Sequence, residues 1–269
     1  MNPITPISHA LAAVLAGAHT LATSLGLAPG SAAAWLAAIA LLVVAVRGLT
    51  VPLVLRGVRD SHARAHARPQ LVALQERYAD RLDAEGLRAL QAERRSIHAE
   101  HGVARWGLAP TLLQLPLLLA LYRVISQVTA GHPLGALDAG LVASAASASL
   151  VGLHLSSRLV QLGHDPVGLA TLVVVALASA LLSFATSRWF TLPMTDTTGQ
   201  PDLLTTVQRW IPALGAVGVL AAACVVPAGL VAYWFLNNLW TFVQQGLVWR
   251  FAPTPGSPAA ARRAAAGTA

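Results

Sequence analysis

The sequence predicts an all-α integral membrane protein with a five-transmembrane-helix core and a cytoplasmic helical hairpin. The 269 residues are 55% hydrophobic and 11% charged, and their mean hydropathy of +0.61 is too high for a soluble domain. Several apolar runs reach the roughly 20 residues that a helix needs to cross the hydrocarbon of a bilayer. The segment 56–106 interrupts these runs and holds ten of the 18 basic residues, all of which are arginine.

Residues 1–30 contain no lysine or arginine, so they lack the charged start of a signal peptide. Leu11, Leu15 and Ala18 have helical spacing in this mildly apolar stretch. We expect residues 1–30 to form an extracytoplasmic segment with a short interfacial helix.

Residues 31–250 contain the apolar runs of the core. The run 211–248 would extend about 55 Å as one helix, nearly twice the hydrocarbon thickness, and Pro227 and Gly229 offer a break near its middle. A weaker run at 139–157 predicts a surface or re-entrant segment, with a further span as the alternative. The predicted spans are about 31–55, 108–128, 167–186, 210–226 and 228–247.

The arginines predict the orientation of these spans. Segment 56–106, the loop 187–209 and the tail 251–269 carry most of them, and the positive-inside rule places these segments in the cytoplasm. The N-terminus is then outside and the C-terminus inside. We expect the tail to be disordered.

The segment 56–106 has the pattern of a charged helical hairpin. Leu71, Leu74, Tyr78 and Leu82 form an apolar stripe, and a second stripe follows a predicted turn at 83–86. Pro69 suits the first turn of the first of these helices. One interpretation is a solvated helical pair, and the other is a docking arm for a ribosome, a nascent chain or anionic lipid.

Several classes of chemistry are excluded or disfavoured. A chain without lysine has no Walker A loop and no Schiff-base lysine. Cys224 is the single cysteine and is predicted to pack as a small apolar residue. The pairs His62/His66 and His98/His101 have zinc-like spacing without a clear third ligand. None of the predicted spans contains a carboxylate, which disfavours proton-coupled transport and aspartyl proteolysis. We expect no enzymatic activity, no cofactor and no metal.

Polar side chains in three spans form the candidate site. Arg47 lies in an apolar span, where an arginine costs roughly 2.5–3.5 kcal/mol on insertion scales. The alternatives to a functional role are snorkelling of Arg47 and interhelical hydrogen bonding. We predict a positively charged hydrophilic groove that is closed to the outside and open to the cytoplasm. Its candidate residues share a similar depth: Arg47, Thr50, Thr111, Gln114, Trp234, Asn237, Asn238, Thr241 and Gln245.

These residues lie in motifs that resemble those of the YidC/Oxa-type membrane protein insertase family. VPAGLVAYWFLNNLWTFVQQGLVWR resembles the last core span of the family, and VRGLTVPL resembles the first, with Arg47 at the groove arginine. APTLLQLPLLLALY resembles the second span, with Gln114 facing the groove. RPQLVALQERY resembles the start of the cytoplasmic hairpin, and GHDPVG the entry to the third span. The similarity runs from about residue 31 to 250 in the same motif order.

The resemblance implies a multi-pass protein of the bacterial inner or plasma membrane that inserts nascent membrane proteins and helps them fold. The implied partners are nascent membrane proteins and membrane lipids, with the ribosome and the general secretion channel as further candidates. No specific nucleic acid is expected. Two alternatives remain, an assembly chaperone without translocation activity and a small-solute transporter. A transporter predicts an internal repeat, and the sequence has no visible one.

Overall fold

The computed structural model describes residues 4–80, 83–104, 109–195 and 202–267. Side chains are described in the same ranges, except at residues 109–114, 202 and 267. The described chain is mostly helical, which confirms the predicted all-α class. The helices are α1 (Ile4–Ser24), α2 (Ala32–Arg77), α3 (Ala84–Glu100), α4 (Ala109–Thr129), α5 (Ala139–Ser147), α6 (Pro166–Ala185), α7 (Asp202–Ala223), α8 (Ala228–Phe251) and α9 (Pro258–Gly267). Short non-α helical turns cover Leu159–Gln161, Thr186–Thr191 and Leu192–Met194, and the antiparallel strands are β1 (Ser149–Leu150) and β2 (Leu153–His154).

Four of the described helices are long and apolar enough to cross a membrane, and Leu115–Thr129 is a shorter apolar helix. The four are Ile4–Ser24, Ala32–Arg77, Pro166–Met194 and Leu203–Ala223. Helix α8 is not among them because its amide and hydroxyl side chains lower its hydropathy. Helix α1, which is predicted from sequence as a short interfacial helix, has 21 residues and therefore the length of a span.

The chain divides into two compact units, of which the first comprises Met1–Leu49, Thr111–Ser187 and Ile211–Gln244. Its larger apolar cluster joins α1, α2, α4 and α5 with the start of α8. Trp35 and Leu42 of α2, Val124 of α4 and Leu15 of α1 are fully buried there. A second cluster joins α6 and α8 through Leu172 and neighbouring side chains. These clusters hold the helices that carry most of the candidate site.

The start of α8 is fixed by the chain that follows α5. Segment 139–157 contains α5 and a hairpin of β1 and β2, so no described helix there has the length of a span. The amides of Ala228 and Gly229, which have no partner within α8, donate to the carbonyls of Ser157 and Leu155 at 2.8 Å each. Pro227 immediately precedes α8. Cys224 lies in the connection from α7 and is exposed, so the prediction that it packs as a core residue is wrong.

The second unit comprises Thr50–Pro110, Arg188–Trp210 and Gln245–Ala269. Helix α2 continues through Pro69, so the prediction that Pro69 begins a helix is wrong. The alanines and arginines before it favour helix strongly enough to continue past one lost hydrogen bond. Asp83 caps α3 by accepting from the Gly86 amide at 3.3 Å. Glu93 of α3 accepts from Tyr78 at 2.7 Å and from Arg77 at 3.1 Å, which fastens the two helices together.

The sequence predicts a disordered tail at 251–269, whereas the structure places a helix in part of it. Residues Pro258–Gly267 form α9, and Ser257 caps this helix by accepting from the Ala260 amide at 3.3 Å. Ser257 and Ala259 are buried, and Arg263 donates to the carbonyl of Phe251 at 2.9 Å. A serine cap, a proline in the first turn and a run of alanines together favour a helix that composition alone did not reveal.

Candidate functional site

The guanidinium of Arg47 is held by two polar side chains of α8. Its Nε and Nη2 both donate to Oδ1 of Asn237, at 3.0 and 2.7 Å, and Nη2 also donates to Oγ1 of Thr241 at 3.1 Å. All three residues are half-buried. The first unit therefore brings together three of the predicted groove residues.

The hydroxyl of Thr241 connects this contact to the backbone of α8. It donates to the carbonyl of Asn237 at 2.8 Å while its oxygen accepts from Arg47. The two residues are four apart, so they lie on one face of the helix. Because the hydroxyl proton is engaged by the backbone, a lone pair of the oxygen is available to the guanidinium.

Asparagine and threonine are neutral acceptors, which matters for the charge of the site. Hydrogen bonds to an amide and a hydroxyl fix a guanidinium in place without cancelling its charge, whereas a carboxylate would form an ion pair. These bonds orient the guanidinium of Arg47, and neither Asn237 nor Thr241 adds a negative charge beside it. This arrangement can attract an anionic group by its field.

Asn238 has a different partner from its neighbour Asn237. Its amide nitrogen donates to the carbonyl of Ser179 in α6 at 3.2 Å and to the hydroxyl of Ser179 at 2.9 Å. Successive helical residues point about 100° apart, so one asparagine contacts α2 and the next contacts α6. The structure thus does not bring Asn238 to Arg47. Ser179, which is buried, was missed from sequence because a serine in a small-residue span carries no distinctive signal.

Trp234 is half-buried and packs against the larger apolar cluster. Trp240 donates from its indole nitrogen to Gln244 within α8 at 2.9 Å. Gln244 is not among the predicted groove residues. The polar side chains of α8 therefore have several different partners.

Two predicted groove residues, Thr50 and Gln245, belong to the second unit, and both are half-buried. Gln245 lines an open cavity of about 240 Å³. The remaining lining combines apolar and hydroxyl side chains: Val54, Gly57, Val58, Ser61, Met194, Val248 and Thr254. The hydroxyls of Ser61 and Thr254 lie 3.2 Å apart at this cavity.

The side chains of Thr111 and Gln114 lie outside the described residues, so their place in the predicted groove stays a prediction. Within the described ranges, no group of three or more His, Cys, Asp or Glu side chains could hold a metal ion.

Comparison with known proteins identifies the family. The family model described as "60Kd inner membrane protein" matches residues 27–254. "Membrane protein insertase YidC" of Streptomyces avermitilis is 29% identical over 238 residues, which cover 85% of this chain and 54% of the relative. The protein of the same name from Tropheryma whipplei (strain Twist) is 26% identical over 272 residues, covering 95% of this chain and 86% of the relative.

A plant relative extends the similarity beyond bacteria. "Inner membrane protein ALBINO3, chloroplastic" of Arabidopsis thaliana is 29% identical over 218 residues, which cover 77% of this chain and 45% of the relative. The chain thus spans about half the length of the Streptomyces and Arabidopsis relatives. Because the family model matches most of the chain, in agreement with the motifs of the first and last spans, the chain belongs to the 60Kd inner membrane protein family, the family of the YidC insertases.

Proposed function

We propose that this protein inserts nascent membrane proteins into the bacterial cell membrane by means of a positively charged groove at Arg47. The observation that carries the proposal is the guanidinium of Arg47, oriented by the neutral side chains of Asn237 and Thr241. The names of the bacterial relatives support the same activity. We propose an N-terminus outside and a C-terminus in the cytoplasm, following the arginine distribution.

Membrane energetics explain why a client needs such a groove. The polar residues that flank a single apolar segment must cross hydrocarbon, where each unpaired polar group costs several kcal/mol. A hydrated groove that reaches partway through the bilayer shortens this barrier. The apolar segment then leaves sideways into lipid, driven by burial worth about 25 cal/mol per Å².

Arg47 contributes by its charge. Two unit charges about 10 Å apart interact by about 1.7 kcal/mol at an effective dielectric constant of 20. That energy corresponds to roughly a tenfold preference for a client whose translocated tail carries an acidic residue. We propose membrane lipids as the destination of the client, the ribosome as a partner of the hairpin 56–106, and the general secretion channel as a further partner.

The experiment is reconstitution of the purified chain into vesicles of pure lipid with one small single-span client. The client is made in two forms that differ only in an acidic or a neutral translocated tail. Wild type should insert both forms above protein-free vesicles and should favour the acidic one. Arg47→Ala should lower insertion of the acidic form by about tenfold and that of the neutral form by much less.

Arg47→Lys serves as the matched variant because a field needs charge and does not need the fork of a guanidinium. It should restore most of the insertion of the acidic form. Equal losses of both client forms in Arg47→Ala, at normal protein levels, would leave Arg47 with a structural role only. Client binding without protease protection of the tail would favour an assembly chaperone, and vesicle uptake of small solutes would favour a transporter.

A further inference from the structure

We infer that Asn237 and Thr241 are positioning residues that aim the charge of Arg47, whereas the adjacent Asn238 holds α8 against α6. This inference rests on the proposed function. It assigns Asn237 and Thr241, which the sequence gives only as groove residues, the role of holding the guanidinium of Arg47. It separates two consecutive asparagines, which look equivalent in the sequence, into an electrostatic role and a packing role.

The hydrogen-bond geometry carries the first step. Two donors of Arg47 converge on the single oxygen Oδ1 of Asn237, and one of them also meets Thr241. An arginine with a long flexible stem is restricted by such convergent contacts at its far end. The contacts to α8 therefore limit the directions in which the guanidinium can point.

The chemical identity of the acceptors carries the second step. An amide oxygen and a hydroxyl oxygen satisfy guanidinium donors and add no charge. A carboxylate in the place of the Asn237 amide has almost the same shape but would neutralise Arg47 through a charge-assisted pair. Asparagine at 237 thus orients the guanidinium and adds no negative charge beside it.

Asn238 provides a matched comparison on the same helix. It is half-buried like Asn237, and its amide nitrogen donates to the Ser179 carbonyl and hydroxyl. Alanine at 238 would remove the donor of both bonds, so it would weaken the contact between α8 and α6. Because alanine adds no charge, this effect would not depend on the charge of a client.

The first test needs no client. All 18 basic residues are arginine, so Arg47→Lys removes exactly one signal from the ¹⁵N-arginine Nε–H spectrum of the full chain in lipid nanodiscs and thereby assigns it. Hydrogen exchange of the Arg47 Nε–H should be at least about tenfold faster in Asn237→Ala than in wild type, because its acceptor is removed. Asn238→Ala should leave that exchange within about twofold of wild type. Unchanged exchange in Asn237→Ala would overturn the inference.

Conservative variants separate positioning from general loosening. Thr241→Ser keeps the hydroxyl and should keep the wild-type Arg47 signal, whereas Thr241→Val removes the acceptor and should shift the Nη resonances. If Asn237→Ala does not fold, Asn237→Asp is the second variant. This nearly isosteric change should move the Arg47 Nε–H resonance downfield because the new hydrogen bond is charge-assisted, and an unmoved resonance would overturn the inference.

The second test uses the two client forms in reconstituted vesicles. Asn237→Asp should reduce insertion of the acidic form to about the level of Arg47→Ala, roughly tenfold below wild type, while the neutral form stays within about twofold. Asn238→Ala, which adds no charge, should lower both forms by the same factor. Equal losses of the two forms in Asn237→Asp would contradict the positioning role.

The two proposals fail in different ways. Wild type that inserts neither client above protein-free vesicles would contradict the proposed function, and the hydrogen-exchange result would still decide whether Asn237 positions Arg47. Wild type that inserts both clients, together with an unchanged Arg47 signal in Asn237→Ala, would retain the insertase activity and overturn the positioning inference.

Discussion

Gly229 at the start of α8 and Thr129 at the end of α4 approach so closely that a β-carbon on Gly229 would lie 2.5 Å from Cγ2 of Thr129. The same β-carbon would lie 3.2 Å from the carbonyl oxygen of Leu155, the acceptor of the Gly229 amide. The position therefore requires glycine because of space, and the first turn of α8 cannot retreat without losing a backbone hydrogen bond.

We predict that Gly229→Ala destabilises the protein by about 1–3 kcal/mol through overpacking. Thermal unfolding in detergent micelles measures the effect. Gly218→Ala is the matched control, because Gly218 lies in α7 with no atom within 4 Å of a built β-carbon. That change should be neutral or slightly stabilising, since alanine favours helix more than glycine does.

A second-site change tests whether Thr129 is the cause. Thr129→Ser removes Cγ2 and keeps the hydroxyl that donates to the carbonyl of Ile125 at 2.8 Å. Combined with Gly229→Ala, it should recover a measurable part of the lost stability. No recovery in the double variant would assign the effect to the contact with the Leu155 carbonyl instead.

The contact between Asn238 and Ser179 should have a measurable coupling energy. In a double-mutant cycle of Asn238→Ala and Ser179→Ala, we expect about 0.5–1.5 kcal/mol, within the range found for interhelical hydrogen bonds in membrane proteins. Ser179→Ala alone should cost less than Asn238→Ala alone, because the Ser179 carbonyl still accepts from Asn238. Additive single effects would show that the two side chains do not interact in the membrane.

The orientation of the chain can be tested with its own cysteine. Cys224 is exposed in the connection from α7 to α8, which the arginine distribution places outside. A membrane-impermeant maleimide added to spheroplasts or protoplasts, whose cell membrane is intact, should label Cys224. Ser96→Cys in a Cys224→Ala background should react only after permeabilisation, because Ser96 is exposed in the hairpin 56–106, which the same rule places in the cytoplasm. Labelling of position 96 in intact cells would reverse the orientation.

The hairpin should loosen in acid through His98. Partial burial lowers the pKa of His98 below its usual value, the positive charges of Arg94 and Arg64 lower it further, and Asp60 opposes them. The unfolded hairpin therefore binds the proton more strongly. Stability that is present above the ordinary histidine pKa of about 6.5 is lost as the pH falls toward the lower pKa of the folded state.

Hydrogen exchange of α3 at pH 7.5 and 5.5, corrected for the intrinsic rates, measures this effect. We expect protection to fall by a few-fold at the lower pH, a small change because His98 is largely solvated. His98→Gln should abolish most of the difference, since glutamine does not titrate. A difference of the same size in His98→Gln would assign the acid response to another group.

Physical patterning explains what could be predicted from the sequence. Long apolar runs with an excess of arginine between them predicted the all-α membrane class, because hydrocarbon admits few alternatives to helices. Arg47 was recognisable because a guanidinium is costly in an apolar span. Asn237 and Thr241 were recognisable as polar residues at the same depth, but their shared contact with Arg47 was not predicted.

The remaining features depend on contacts that no local pattern reveals. Asn237 and Asn238 have different hydrogen-bond partners because a different helix lies beside each face of α8. The helix at 258–267 depends on the buried cap Ser257, and the continuation of α2 through Pro69 depends on the helix-forming residues before it. In each case the tertiary contacts or the neighbouring residues outweigh the structural preference of a single residue.

The carbonyls that accept hydrogen bonds from the first amides of α8 also imply an order of events during synthesis. The carbonyl of Leu155 precedes the amide of Gly229, its partner, by 229 − 155 = 74 residues. At about 5–20 residues per second, translation needs roughly 4–15 seconds to cover that interval. During those seconds the tight turn at Val151 and Gly152, both with positive φ, can already hold β1 and β2 together. The helix that carries Asn237 and Thr241 is synthesised after the other described apolar helices, so Arg47 is made well before its two hydrogen-bond partners.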